Sequence, residues 1–210
     1  MLRIQQHSAV GGRLVLPLRV IVGLGNPGLR YAQTRHNLGF WVIDRLSERL
    51  GISLTKHKFG AKYGAALFRS QRIMLVKPQS FMNRSGRSVA DVMNFYQLDL
   101  DNLLVVYDDM DLAPGSLRVK GSGSAGGHKG MGDIIQHLGS DNFPRLRVGV
   151  GQPPPFVSAA DYVLQGIDAA ETKILEEAAT RAAQAAEMWL QEDILSVMNL
   201  YNRKQTKMET

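Results

Sequence analysis

Leu18-Arg19-Val20-Ile21-Val22-Gly23-Leu24-Gly25-Asn26-Pro27-Gly28, running on to His36, decides the fold. The first five residues are an apolar run of strand length. A tight Gly/Asn/Pro turn follows, then polar residues and a histidine. Open α/β sheets place their sites at such strand ends. Gly25 and Gly28 permit a positive φ or a close backbone approach. Asn26 precedes a proline, which pushes it out of the helical region and lets its amide project. The turn therefore presents Asn26 and, ten residues on, His36.

Working outward, strands alternate with helices. The stripe Leu38, Trp41, Val42, Leu46 and Leu50 predicts a helix over 37–50, stopped by Gly51. Residues 62–68 and 72–76 read as a hairpin around Ser70-Gln71. A helix is expected over 85–98 and a buried strand over 102–107, ending in Asp108-Asp109-Met110-Asp111. A strand follows at 116–120, then the glycine-rich stretch 121–130 and a short helix over 131–138. A strand at 145–150, an Ala-rich helix over 169–190 and a short helix to about 201 complete the chain. This pattern predicts an α/β fold: a single globular domain with a twisted mixed β-sheet flanked by helices. Residues 1–17 carry no clear period and are expected to be a flexible extension, or a start placed too early. The domain is expected over 18–204, with 205–210 a tail.

The 210 residues suffice for one domain with a core, and no apolar run is long enough to span a bilayer. Gln5, Gln6, His7 and the following glycines break any secretory apolar centre. Without cysteine there are no disulfides, thiol nucleophiles or Cys-based zinc sites, which suits a cytoplasmic protein. The net charge is +6 and unevenly placed. Lys56, Lys58, Lys62, Arg69, Arg72, Lys77, Arg84 and Arg87 fill a stretch without acids, whereas Asp168, Glu171, Glu176, Glu177, Glu187, Glu192 and Asp193 dominate a later one. Such asymmetry suits a polyanion bound in one orientation, or merely two solvated faces.

Of five histidines, His7 lies in the extension, and His57 and His137 read as structural or surface groups. His36 and His128 sit on polar, glycine-flanked loops just after strands. A histidine acting as general base needs an orienting carboxylate, and Asp108, at the end of a buried strand, is the candidate. Asp109 and Asp111 bind Mg²⁺ on one reading and are turn acids on the other. There is no G-x-S-x-G elbow and no H-E-x-x-H pattern. A His/Asp pair with two loop amides, Asn26 and Asn83, suits attack of water on a carbonyl. Asn83 has an alternative reading as the cap of the helix near Ser85. Gly23-x-Gly-x-x-Gly28 formally matches a dinucleotide fingerprint. Neither an apolar-periodic helix nor a well-placed acid follows it, so no cofactor is expected. The loop 121–130, with Lys120 and Lys129, offers backbone N–H groups to phosphates.

Gly23-Leu-Gly-Asn-Pro-Gly-x-x-Tyr-x-x-Thr-Arg-His-Asn37, Lys77-Pro-x-x-Phe-Met-Asn-x-Ser-Gly86, Asp108-Asp-x-Asp-Leu112 and Gly126-Gly-His-x-Gly130 together resemble the bacterial peptidyl-tRNA hydrolases. The resemblance covers nearly everything from Leu18 to about Asn202. It implies a monomeric α/β globule that cleaves the ester between a peptide and the terminal ribose of tRNA. It implies His36 as the base, Asp108 as its supporting carboxylate, and Asn26 as the group that distinguishes blocked from free aminoacyl ends. Tyr31, Phe81, Met82, Asn83 and His128 are implied as substrate contacts. One residue departs from the pattern. The family usually carries Asn after the loop histidine, and here Lys129 stands there, a donor that cannot accept. Lys129 is expected to meet a phosphate or the oxyanion. No metal and no membrane are expected. The competing readings are an RNA-binding relative that has lost catalysis and a nucleotide-dependent enzyme.

Overall fold

A computed structural model describes Ala9–Val10, Arg13–Leu14 and residues 17–203. The strands are β1 (Ala9–Val10), β2 (Arg13–Leu14), β3 (Leu18–Gly23), β4 (Lys56–Lys58), β5 (Ala61–Phe68), β6 (Gln71–Pro78), β7 (Leu103–Asp109), β8 (Leu117–Lys120) and β9 (Arg145–Gly149). The helices are α1 (Leu38–Leu50), α2 (Ser85–Phe95), α3 (Lys129–Leu138), α4 (Ala159–Leu164), α5 (Ala169–Trp189) and α6 (Ile194–Tyr201). Of the expected extension, β1 and β2 pair antiparallel, and its other residues before Pro17 lie outside the described residues, as does the tail.

Seven strands form one mixed sheet in the order β4-β5-β6-β3-β7-β9-β8. β3 runs parallel to β6 and β7, and β7 runs parallel to β9. The two edges are antiparallel, through the β4–β5–β6 meander and through β8. The domain is α/β, with helices on both faces. Because side chains alternate along a strand, one sequence feeds two cores. Ile21, Ile73, Leu75, Leu104 and Val106 face α1 and α5. Val20, Val22, Met74, Val76, Leu103 and Val105 face α2 and α3. The alanines of α5, with Ala179, Ala182, Ala183 and Ala186 fully buried, let that helix lie close to its neighbours.

The C-terminal ends of β3 and β7 lie side by side, and this adjacency builds the site. α1 crosses directly behind it at Gly39. A Cβ there would stand 2.4 Å from the Leu24 nitrogen and 2.5 Å from the Val106 oxygen. Both are backbone atoms of the sheet edge and cannot rotate away. We therefore expect Gly39→Ala to cost about 3 kcal/mol, or roughly 6–12 °C in Tm, in thermal unfolding.

Several local boundaries differ from the sequence expectation. The hairpin turn falls on Arg69-Ser70, both at positive φ, one residue earlier than expected. α2 ends at Phe95, where the chain turns through Gln97 at φ 50. β7 runs on through Asp108 and Asp109, because both pair with β9. β4 and α4 were not anticipated.

Candidate active site

His36 sits on a single 3-10 turn, Arg35–Asn37, just ahead of α1. Its Nδ1 lies 3.0 and 3.1 Å from the two carboxylate oxygens of Asp108 at the end of β7. The Asp108 side chain is only 2% exposed. Burial pushes its carboxyl toward the neutral acid. The His36 and His128 imidazoles outweigh that push and hold it well below the usual carboxylate range. With an ionised Asp108 accepting at Nδ1, the proton of neutral His36 resides on Nδ1. The lone pair of Nε2 is left for the cleft, which His36 lines.

The second loop histidine also reaches Asp108. His128 Nε2 is 3.2 Å from Asp108 Oδ1, and the two imidazole centroids are 4.9 Å apart. His36, Asp108 and His128 form the one group of three potential metal ligands among the described residues. Hydrogen bonds account for their arrangement: both imidazoles converge on one carboxylate, and His128 Nδ1 is taken by the N–H of Met131.

Asn26 is buried rather than projecting. The Asn37 side chain clamps its backbone, accepting from the Asn26 N–H at 2.7 Å and donating to the Asn26 carbonyl at 2.9 Å. Asn26 Oδ1 in turn accepts the Met82 N–H at 2.8 Å. That bond fixes the amide's orientation and leaves Nδ2 as its donor. Asn26→Ala would strand the buried Met82 N–H. We expect a loss of about 1–3 kcal/mol in denaturant unfolding, most of it spared in Asn26→Asp, which keeps the acceptor.

The cleft, of about 350 Å³, takes in Asn26, His36, Asn83, Asp108, His128 and Lys129. Tyr31 and Phe81 form an edge-to-face pair at its rim, ring centroids 6.4 Å apart, with Phe81 half exposed. Met82 lines the cleft but is 4% exposed and belongs mainly to the core beneath it. The capping alternative for Asn83 is not realised: the residue preceding α2 is Arg84, and the first-turn Gly86 N–H is taken by the Asp133 carboxylate of α3 at 2.6 Å. Asp109 is a strand residue. It pairs with Arg147, and its Oδ1 accepts the Asp111 N–H at 2.9 Å, so the turn reading describes it better than Mg²⁺ binding. The segment after Gly28 forms a 3-10 turn, Leu29–Tyr31, and no α-helix opens there as a dinucleotide site requires.

Sequence reasoning missed three contributors. α4 supplies the apolar wall through Ala159, Ala160, Val163 and Leu164. Its start was marked by Ser158-Ala-Ala-Asp161, in which Ser158 accepts the Asp161 N–H. Arg35 ties that wall to the turn that carries His36. Its Nε donates to Glu171 at 2.7 Å, Nη1 donates to the Tyr162 carbonyl at 2.9 Å, and the guanidinium lies 4.0 Å over the Tyr162 ring. Thr34 adds a β-bridge to Gly166. Asn37 is the third, as the clamp on Asn26.

Known proteins share this architecture. The family model for peptidyl-tRNA hydrolase matches residues 20–209. The peptidyl-tRNA hydrolase of Brevibacillus brevis is 49% identical over 185 residues, covering 88% of this chain and 98% of that protein. The one from Synechococcus sp. is 51% identical over 188 residues, covering 89% and 84%. A crystal structure of peptidyl-tRNA hydrolase from Acinetobacter baumannii aligns with a TM-score of 0.83 and 37% identity, covering 88% of this chain and 94% of that one. A methylthioadenosine nucleosidase from Arabidopsis thaliana, at 8% identity and a TM-score of 0.53, shares the fold alone. With matches of this extent in both sequence and structure, the chain belongs to the peptidyl-tRNA hydrolase family.

Proposed function

We infer that this protein hydrolyses the ester bond joining a peptide, or an N-blocked aminoacyl group, to the terminal ribose of tRNA, with His36 as the general base. The observation that carries the reading is the His36–Asp108 contact, which turns an unprotonated Nε2 toward a cleft rimmed by amide donors. A water held by Nε2 gives up its proton as its oxygen attacks the ester carbonyl. Negative charge builds on the carbonyl oxygen. Asn26 Nδ2, the Asn83 amide and the Lys129 ammonium are the donors in the cleft suited to hold it or the flanking substrate amide. When the tetrahedral species collapses, the C–O bond to ribose breaks. The imidazolium returns its proton to the departing ribose oxygen, so His36 ends neutral and the products are a free peptide acid and tRNA.

Tyr31 and Phe81 offer an apolar rim for the ester's flanking groups, and His128 and Met82 shape the floor. The basic residues and the loop 121–130 suit tRNA phosphates, contacts that are sequence-tolerant and salt-sensitive. The active unit is residues 18–204, acting as a cytoplasmic monomer without metal or cofactor. No helix among the described residues is long and apolar enough to cross a membrane. The test is hydrolysis of an N-acetyl-aminoacyl-tRNA beside the same aminoacyl-tRNA left unblocked. Cleavage of the blocked ester and sparing of the free one is expected. Binding of tRNA without cleavage would point to an RNA-binding role instead.

A further inference from the structure

His128 was expected to touch substrate, but its two ring nitrogens are already committed inside the protein. Nδ1 accepts the Met131 N–H at 3.2 Å and so caps α3. A nitrogen that accepts cannot carry the proton, so the proton of His128 lies on Nε2. That Nε2 faces Asp108 Oδ1 at 3.2 Å. His36 Nδ1 approaches the same oxygen at 3.0 Å. One buried carboxylate therefore accepts from two imidazoles that differ in their freedom. His36 can take a second proton on Nε2 from the cleft. His128 could do so only on Nδ1, which would break the cap and set a cation at the positive end of a helix.

Resting on the hydrolase reading above, we propose that His128 is a positioning residue: a donor locked by the α3 cap that shares Asp108 with His36 and so tempers the carboxylate's hold on the base. The shared hydrogen bond draws off part of the charge that Asp108 presents to His36. Without it, the undivided carboxylate would favour the imidazolium, and His36 would be out of action over a wider acid range.

The other charged or titratable groups nearby do not perform this task. From β7, Asp109 is bound to Arg147. Tyr107 lies against the His128 ring, with centroids 4.9 Å apart, and burial raises its phenol. Asp111, Lys129 and Tyr31 line the cleft but make no hydrogen bond to either imidazole. Arg35, beside His36 in sequence, is directed to Glu171. α4 brings only apolar side chains to the cleft.

Two substitutions separate the two ring nitrogens. In His128→Asn, the side-chain oxygen can replace Nδ1 as the helix cap, and nothing replaces Nε2. In His128→Gln, the longer amide can reach the Nε2 position and donate to Asp108. The measurement is the pH dependence of kcat/KM on N-acetyl-aminoacyl-tRNA, beside a substrate-free NMR titration of His36 in the same proteins. For His128→Asn, the acid limb should move up by about half a unit, a roughly threefold loss on the limb beyond any uniform change. For His128→Gln, the limb should stay with the wild type. Imidazole ¹⁵N spectra of the wild type should show His128 protonated at Nε2 and His36 at Nδ1. An unmoved limb in His128→Asn, whether or not KM rises, overturns the proposal. So does a wild-type His128 protonated at Nδ1, a result that needs no variant to fold. The NMR titration reads His36 whether or not the substrate is cleaved, so a failure of the hydrolase reading is seen separately.

Discussion

Replacing His36 with alanine should lower kcat on N-blocked aminoacyl-tRNA by about 10²- to 10⁴-fold while leaving KM and tRNA binding nearly unchanged. With Nδ1 bonded to Asp108, the imidazole keeps Nε2 free in the cleft to take a proton from water. Asp108 cannot substitute, since it lies beneath the ring, buried and held as the anion. The fold should survive, because Asp108 keeps its bond from His128 and the 3-10 turn is held independently through Arg35 and Asn37. Single-turnover hydrolysis with a parallel filter-binding measurement separates the two effects. A variant that binds poorly yet cleaves at the wild-type rate when saturated would place His36 in recognition instead.

Asp108→Asn should be comparably severe, about 10³- to 10⁴-fold in kcat, by analogy with a serine-protease triad whose aspartate is similarly replaced. The amide is nearly isosteric but its NH₂ group donates. Wherever that NH₂ faces His36, it forces the imidazole to accept at Nδ1 and carry its proton on Nε2, the atom proposed to receive the water's proton. The same change has a pH-dependent effect on stability. The Asp108 carboxyl is depressed in the folded state, so its contribution is fully present above the range in which an unfolded aspartate ionises, near about pH 4. It is lost as pH falls through the lower folded value. The wild type's stability advantage over Asp108→Asn should thus be constant at neutral pH and shrink only in acid. Denaturant unfolding of both proteins across that range checks it.

The parts of the site legible in the sequence were those written into single strands and their ends. The apolar run before Gly23 and the buried run before Asp108 identified two strands, and their parallel pairing in the sheet brings His36 to Asp108. The αL cap at Gly51 and the stripe of α1 were equally local signals. What the sequence hid depends on distant partners. Arg35 read as one cation among many because Glu171 and Tyr162 lie far along the chain. Asn26 read as a projecting amide because nothing local reveals that Met82 needs its oxygen. β4 is three exposed residues with no apolar face, so only its pairing with β5 defines it. α4 is a short helix behind a proline-rich loop, and its capping box was its single local signal. His128 was recognised as functional, but its bond to Asp108 joins the cap of α3 to the end of β7, twenty residues apart, which no local pattern encodes.

The most direct test of the central claim is the pH profile of kcat/KM for the wild type and His36→Ala on the same N-acetyl-aminoacyl-tRNA. Because Asp108 stays ionised, a single proton taken up at His36 Nε2 should switch the wild type off. Its logarithmic rate should fall with a slope of about one on the acid side. The residual activity of His36→Ala should lack that bend. A wild type with no acid limb, or a variant that keeps the same limb, would contradict the assignment of His36 as the base.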